Sequence, residues 1–157
     1  MGKKSEEPDL RYRLNVAAIL RDGAGKILIG ERVDRPGAWQ FPQGGVDDGE
    51  TLARALSREL LEEISLPPSS YKIVTTKGPY FYSFGNGKVV KGFHGKEQHY
   101  FLADFTGNPK DINVKTEHPE FRTCRWVDPS EFDIGWLPKM KREVYRAVFQ
   151  DFFALHI

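Results

Sequence analysis

Three acids define the chemistry open to this chain: Glu59, Glu62 and Glu63, spaced i, i+3 and i+4. On an α-helix that spacing brings all three carboxylates to one face. Like charges this close raise one another's pKa, and a bound divalent cation removes the penalty. Hard oxygen ligands suit Mg²⁺ or Mn²⁺, ions that retain waters and bridge to substrate phosphates. Such triplets are common on solvated helix faces, so the angular setting carries more weight than the spacing. At about 100° per residue, Leu52, Leu56, Leu60, Ala53 and Ile64 form an apolar sector roughly 120° wide. Glu59 and Glu63 are expected beside its Leu52 edge, with Glu62 further round and Arg58 beyond. Charge held so near a core is expensive unless it is paired or binds a cation.

The element that must carry these acids is a helix over Thr51–Ile64, with Thr51 as its cap and Pro67-Pro68 forbidding continuation. Before it, Gly44-Gly45 and Gly49 permit tight turning and close backbone approach, and a helix N-terminus fed by such a loop offers free N–H donors to an anion. Strands are expected over Arg13–Leu20, Lys26–Gly30, a short piece at Trp39–Phe41, Tyr71–Thr76, Pro79–Phe84, Gln98–Phe105 and Arg122–Val127. Gly85-Asn86-Gly87 reads as a hairpin tip that accepts positive φ. A last helix over Lys139–Leu155 places Val144, Tyr145, Val148, Phe152 and Leu155 on one face. Elements of uneven length in mixed order predict an α/β (α+β) sandwich, not a regular βαβ repeat, and no P-loop or Rossmann glycine signature occurs.

The 157 residues fit a single domain, expected over 10–157 behind a charged, mobile tail at 1–9. Hydrophobic residues make up 39% and charged residues 29%, ordinary for a soluble globular chain, and no apolar run approaches a bilayer span. No signal-peptide stretch opens the sequence, and Glu6 stands where N-myristoylation needs Ser or Thr. Cys124 is the only cysteine, which excludes an intrachain disulfide, and His94, His99, His118 and His156 lack zinc-ligand spacing. A cytoplasmic location is therefore expected. With net charge +1 the molecule as a whole does not steer a polyanion. Two segments are nevertheless basic: Lys77–Tyr100 sets four lysines against Glu97, and Pro138–Arg146 sets four cations against Glu143.

Gly44, five residues, Glu50, seven residues and then Arg58-Glu59-Leu60-Leu61-Glu62-Glu63-Ile64-Ser65-Leu66 resembles the Nudix box, with every charged position filled. One position departs. Ser65 stands where the box has glycine, just past the helix, where a left-handed residue is needed. Beyond the box, Tyr12–Val16, Trp39–Gly45, Gln98–Leu102, Pro119-Glu120-Phe121, Arg125-Trp126-Val127 and Lys141–Tyr145 resemble the Nudix branch of bacterial RNA pyrophosphohydrolases and diadenosine tetraphosphate hydrolases.

That resemblance implies an α/β/α sandwich around a mixed sheet and a Mg²⁺-dependent attack of water on a phosphoanhydride, with Mn²⁺ as a substitute ion. It implies Glu59, Glu62, Glu63 and Glu120 as metal ligands together with Gly44, Arg58 as the residue that orients the acids, and Glu50 as support for the loop. Glu120 is the further acid, as ligand or general base. Arg13, Arg32, Gly44, Gly45 and Lys141 are the expected substrate contacts, since fixed cations fit a triphosphate. The substrate implied first is 5′-triphosphorylated RNA, then a dinucleoside polyphosphate or nucleoside triphosphate; a non-catalytic nucleotide-binding module would have lost box acids, and here all are kept. Trp39, Tyr80, Phe81, Tyr82 and Phe84 are expected in the core, with base stacking the lesser reading. Oligomeric state, a dimer included, is open.

Overall fold

The computed structural model describes residues 10–157; the tail expected at 1–9 lies outside the described residues. The strand expected from Arg13 is β1 (Tyr12–Arg21), and it runs through the middle of the molecule. It pairs in parallel with β6 (Gly95–Phe105) from Tyr12↔Gly95 to Arg21↔Asp104. Its other neighbours, β2 (Ile27–Arg32) and β4 (Gln43–Gly45), are antiparallel to it. Outward from β2 lie β3 (Trp39–Gln40) and β7 (Phe121–Val127), and β5 (Tyr71–Ser83) closes the far edge against β6. The sheet is thus mixed, with a single parallel pair among antiparallel ones.

Alternation along β1 assigns the two faces, because successive strand side chains point to opposite sides. Val16, Ala18 and Leu20 face α1 (Leu52–Ile64) and pack with Ala55, Leu56, Leu60 and Ile64. Ala17 and Ile19 face α2 (Lys139–Phe153) and pack with Val144, Tyr145, Val148 and Phe149. A strand covered on both faces reads as the continuous apolar run seen at Val16–Leu20. The result is a sheet between two helices, as the sequence predicts. Among the described residues no helix is long and apolar enough to cross a membrane.

Four details differ from expectation. Tyr71–Ser83 is one strand, not two, because the Lys77–Tyr80 irregularity shifts the register without ending the pairing to β6. Gln43–Gly45, expected to be turn, pairs with Ala17–Asn15 of β1. On α1 the buried arc includes Ala55 and leaves Ala53 exposed, so it is rotated toward the acids. On α2, Phe149 is fully buried while Phe152 and Leu155 are only partly so, because the helix stops at Phe153 and Ala154 turns left-handed.

Ser65 does adopt the left-handed conformation, at φ 62°, and closes α1 with its N–H directed to Leu60 and Leu61 carbonyls. Its hydroxyl donates to the Asn113 carbonyl at 2.9 Å, a bond that glycine would lack. Left-handed backbone costs a residue with a Cβ about 1 to 2 kcal/mol, while one hydrogen bond returns about 1 kcal/mol. Ser65→Ala keeps the strain and loses the bond, so it is expected to lower stability by about 1 kcal/mol. Ser65→Gly trades one for the other and should stay within about 1 kcal/mol of the parent. Urea denaturation of both variants checks the ordering.

Candidate active site

The rotation of α1 has a direct consequence for its acids. Glu63 is 5% exposed, buried among the residues that face the sheet, and the Glu59 side chain is 13% exposed. They lie inside the buried arc, between Ala55 and Leu56, not beside it. Glu62 faces outward, its side chain 59% exposed. Gly44 makes room for this packing: a Cβ there would stand 1.9 Å from the Glu59 carboxyl carbon. Gly45 likewise leaves space for Arg13, whose Nη2 would be 2.5 Å from an added Cβ.

Arg58 organises the acids. Its Nε and Nη2 each donate to a different oxygen of Glu50 at 2.8 Å, and Nη1 donates to Glu59 at 2.8 Å and to Glu62 at 3.3 Å. Nη2 also reaches the Gly45 carbonyl at 2.8 Å, which ties the loop to the helix. Glu50 in turn accepts from the Asp47 N–H at 2.8 Å. The paired guanidinium and that N–H hold the Glu50 carboxyl down to about 2, and the carboxylates around Arg58 push its own pKa up.

Glu63 has no such partner for one of its oxygens: Oε2 is buried without a hydrogen bond. Burial first, then the negative charges of Glu59 and Glu120, push its carboxyl up to about 9. Burial also raises Glu59, against the pull of Arg58. A buried, unpaired carboxylate oxygen beside two more acids fits a hard divalent cation. Among the described residues no three acid or histidine side chains already converge as a finished cage, since Arg58 holds Glu59 and Glu62. Binding an ion there therefore requires small side-chain movements of these acids.

The acids form a ridge between two depressions. On one side a cleft of about 700 Å³ takes in Glu59, Glu62, Glu63 and Glu120 together with Gly44, Gly45, Arg13 and Lys96. On the other, about 490 Å³ is bounded by the same four acids and by Thr116, Glu117 and His118. The parallel register sets Arg13 beside Lys96 and Asn15 beside Gln98, so cations gather at the end of β1 and β6 that faces the acids. Of the expected substrate contacts, Arg13, Gly44 and Gly45 line the cleft. Arg32 does not; its guanidinium is paired with Asp34 at 2.7 Å and 2.9 Å. Lys141 lies behind the cleft, 6% exposed, with Nζ donating to Gln40 Oε1 at 3.0 Å.

Several cleft residues carried no sequence signal of their own. Asn15, Gln40 and Gln43 lie within the Tyr12–Val16 and Trp39–Gly45 stretches, and Lys96 is one charge among several in a basic segment. Strand alternation from Gly95 onward is the signal that separates it from its neighbours. The basic segment is not one face: Lys77 donates to the Asp151 carbonyl and leans on Phe152, far from Lys96 in role. Tyr82 is buried in the core as expected, Phe81 is 50% exposed, and Phe84 lines the cleft with Phe93. Trp39 is partly buried against the core, with the Arg125 guanidinium 4.3 Å from its ring centre.

This sandwich, with a glycine loop packed on a helix that buries two of three acids, defines a protein class. Residues 11–152 match the NUDIX domain model, and the chain belongs to the Nudix family. Its relatives narrow the likeness. It is 39% identical to the RNA pyrophosphohydrolase of Erythrobacter litoralis (strain HTCC2594), covering 96% of each chain. It is 41% identical to the RNA pyrophosphohydrolase of Rickettsia typhi (strain ATCC VR-144 / Wilmington), over 94% of this chain and 93% of that one. Among solved structures, the C. elegans Ap4A hydrolase binary complex is similar with TM-score 0.58 and 25% identity, over 76% of this chain and 82% of that one. The E. coli dihydroneopterin triphosphate pyrophosphohydrolase shares the fold, with TM-score 0.63 and 17% identity over 92% and 98%.

Lys141 yields a pH prediction. Burial, then the charges of Lys96 and Arg32, lower its pKa to about 7. The folded protein therefore binds fewer protons here than the unfolded chain between pH about 7 and 10.5, and stability gains from this group as pH rises through that window. Lys141→Met should remove that slope and stabilise the protein most below pH 7, as read from urea midpoints at pH 6 and pH 9.

Proposed function

We propose that this Nudix hydrolase removes pyrophosphate from the 5′-triphosphate end of RNA, using Mg²⁺, in the cytoplasm. The observation that carries the reading is the joining, in one cleft, of Glu63, with its one unpartnered carboxylate oxygen, and the cations Arg13 and Lys96. One half of the cleft suits a divalent ion and the other suits the phosphates of a polyanion. The names of the relatives in Erythrobacter and Rickettsia support RNA as the polyanion.

Glu59, Glu62 and Glu63 would hold the ion, with the Gly44 backbone beside them. The Mg²⁺ supplies Lewis-acid polarisation of the phosphoryl group and makes water more acidic. The chain's own residues do the rest. Arg13 and Lys96 draw the triphosphate against the acid ridge, and Lys141 holds Gln40 in place at the back of the cleft. Glu120 enters from a loop, carries no side-chain partner among the hydrogen bonds of the described residues, and accepts the proton of the attacking water. Arg58 keeps the carboxylates apart and aimed. A second reading, hydrolysis of dinucleoside polyphosphates, rests on the likeness to the Ap4A hydrolase structure.

Triphosphorylated RNA, a dinucleoside polyphosphate and a nucleoside triphosphate, compared with Mg²⁺, should give the highest kcat/KM for RNA. A preference for the dinucleoside polyphosphate would favour the second reading. Products formed in ¹⁸O-labelled water identify the phosphorus attacked. Glu62→Gln and Glu63→Gln should each lower kcat by roughly 10²-fold or more, and unchanged turnover in both would remove them as ligands. Glu120→Gln should lower kcat by about 10²-fold with KM held within about 2-fold; a rise in KM alone would make it a binding group.

A further inference from the structure

The Glu120 side chain is exposed and its backbone is tied to the end of the neighbouring strand, so whatever fixes that backbone sets where the carboxylate can reach. The Glu120 carbonyl accepts from the Val33 N–H at 3.0 Å, and the next residue, Phe121, begins β7 opposite Arg32. Between Glu31 and Arg32 the β2–β7 register shifts, so Arg122 is an extra residue on the β7 side. Bulges of this kind re-aim the adjoining chain. Val33 itself opens the loop that returns to β3 through Gly37, which is left-handed at φ 83°.

One side chain spans this junction. Glu31 is 7% exposed, and its two oxygens engage different segments. Oε2 accepts from the Gly37 N–H at 2.9 Å, on the loop. Oε1 accepts from Arg122 Nε at 3.0 Å, with Nη2 of the same guanidinium 2.9 Å away as an ion pair, on the bulged strand. Val33 lies between Glu31 and Gly37 on the loop side, and Glu120 lies two residues before Arg122 on the other. Arg125, stacked between Trp39 and Trp136 at 4.3 Å and 5.0 Å, adds a further positive charge on the same sheet face. A buried carboxylate of this sort is not needed for core packing, which an apolar residue would serve better. Its geometry instead suits the locking of two chain segments in one relation.

We infer that Glu31 is a positioning residue: bonded to Gly37 and Arg122, it fixes the backbone that delivers Glu120 to the cleft. This rests on the reading of Glu120 as a group that acts in the reaction. Glu31 touches neither the cleft nor the box acids, so its effect on turnover is transmitted through Glu120.

The test is a double-mutant cycle on the full chain with Mg²⁺ and triphosphorylated RNA. Glu31→Gln keeps the shape but sets an amide donor against Gly37 N–H or against the guanidinium, which breaks one arm. It should lower kcat by roughly 10- to 100-fold, the usual effect of losing an outer support, with KM within about 2-fold. Arg122→Ala, at an exposed site, should act in the same direction, and Arg122→Lys should restore part of the loss. In a Glu120→Gln background, Glu31→Gln should change kcat less than about 2-fold, because the group it positions is gone. If its effect instead multiplies in full, or if Glu31→Gln and Arg122→Ala leave kcat unchanged in the parent, the positioning role is overturned. If Glu120→Gln alone leaves kcat unchanged, the role of Glu120 fails first, and the positioning role with it. Amide exchange at Val33 and Gly37, faster in Glu31→Gln at an unchanged thermal midpoint, separates local loosening from loss of fold.

Discussion

The rest of the molecule is arranged around one electrostatic constraint: two carboxylates on α1 are turned inward against the sheet. Removing such charges from water costs several kcal/mol each unless partners are supplied. Arg58 supplies them for Glu59 and Glu62 and, through Glu50 and the Gly45 carbonyl, fastens the preceding loop to the same guanidinium. The glycine at position 44 follows from the same constraint, because the space a side chain would fill is taken by the Glu59 carboxyl. Of the α1 acids, Glu63 is the one with a buried oxygen left unpartnered among the described residues, and that residual imbalance is where a cation gains most.

The sheet contributes the opposing charge through register. Ten parallel pairs between β1 and β6 put apolar residues in the middle and polar ones at the Arg13–Lys96 end. The same two strands thus build the core and the cationic half of the cleft. A loop brings in Glu120, from the segment before β7, while the first turn of α2 sets Lys141 behind the cleft.

Much of this was legible in the sequence, for reasons that can be named. The helix with its Thr51 cap, the central strand, the left-handed Ser65 and the positive-φ hairpin tip at Gly85-Asn86-Gly87 all rest on local chemistry. So did the triplet of acids and its Nudix resemblance. What was illegible depended on pairing or packing. Glycines at 44 and 45 argued against a strand, yet β1 recruits Gln43–Gly45 as a partner. The strands expected at Tyr71–Thr76 and Pro79–Phe84 are one, because pairing to β6 absorbs the interruption as a register shift. Lys141 resembled its solvated neighbours by type, and only the position of α2 buries it. Glu31 gave no signal, since its two partners lie 6 and 91 residues away.

The residue that ends α1 also reaches beyond the helix. Ser65 bonds the Asn113 carbonyl, and the Asn113 N–H returns to the Ile64 carbonyl, so the helix terminus is stitched to the segment that walls the second depression with Thr116 and Glu117. A glycine at this position would keep the turn and the Asn113 N–H bond to Ile64 but would lack the bond from the hydroxyl. Serine adds a second bond to that stitch, so the wall of the depression and the terminus of the acid-bearing helix are held to one another by two hydrogen bonds instead of one.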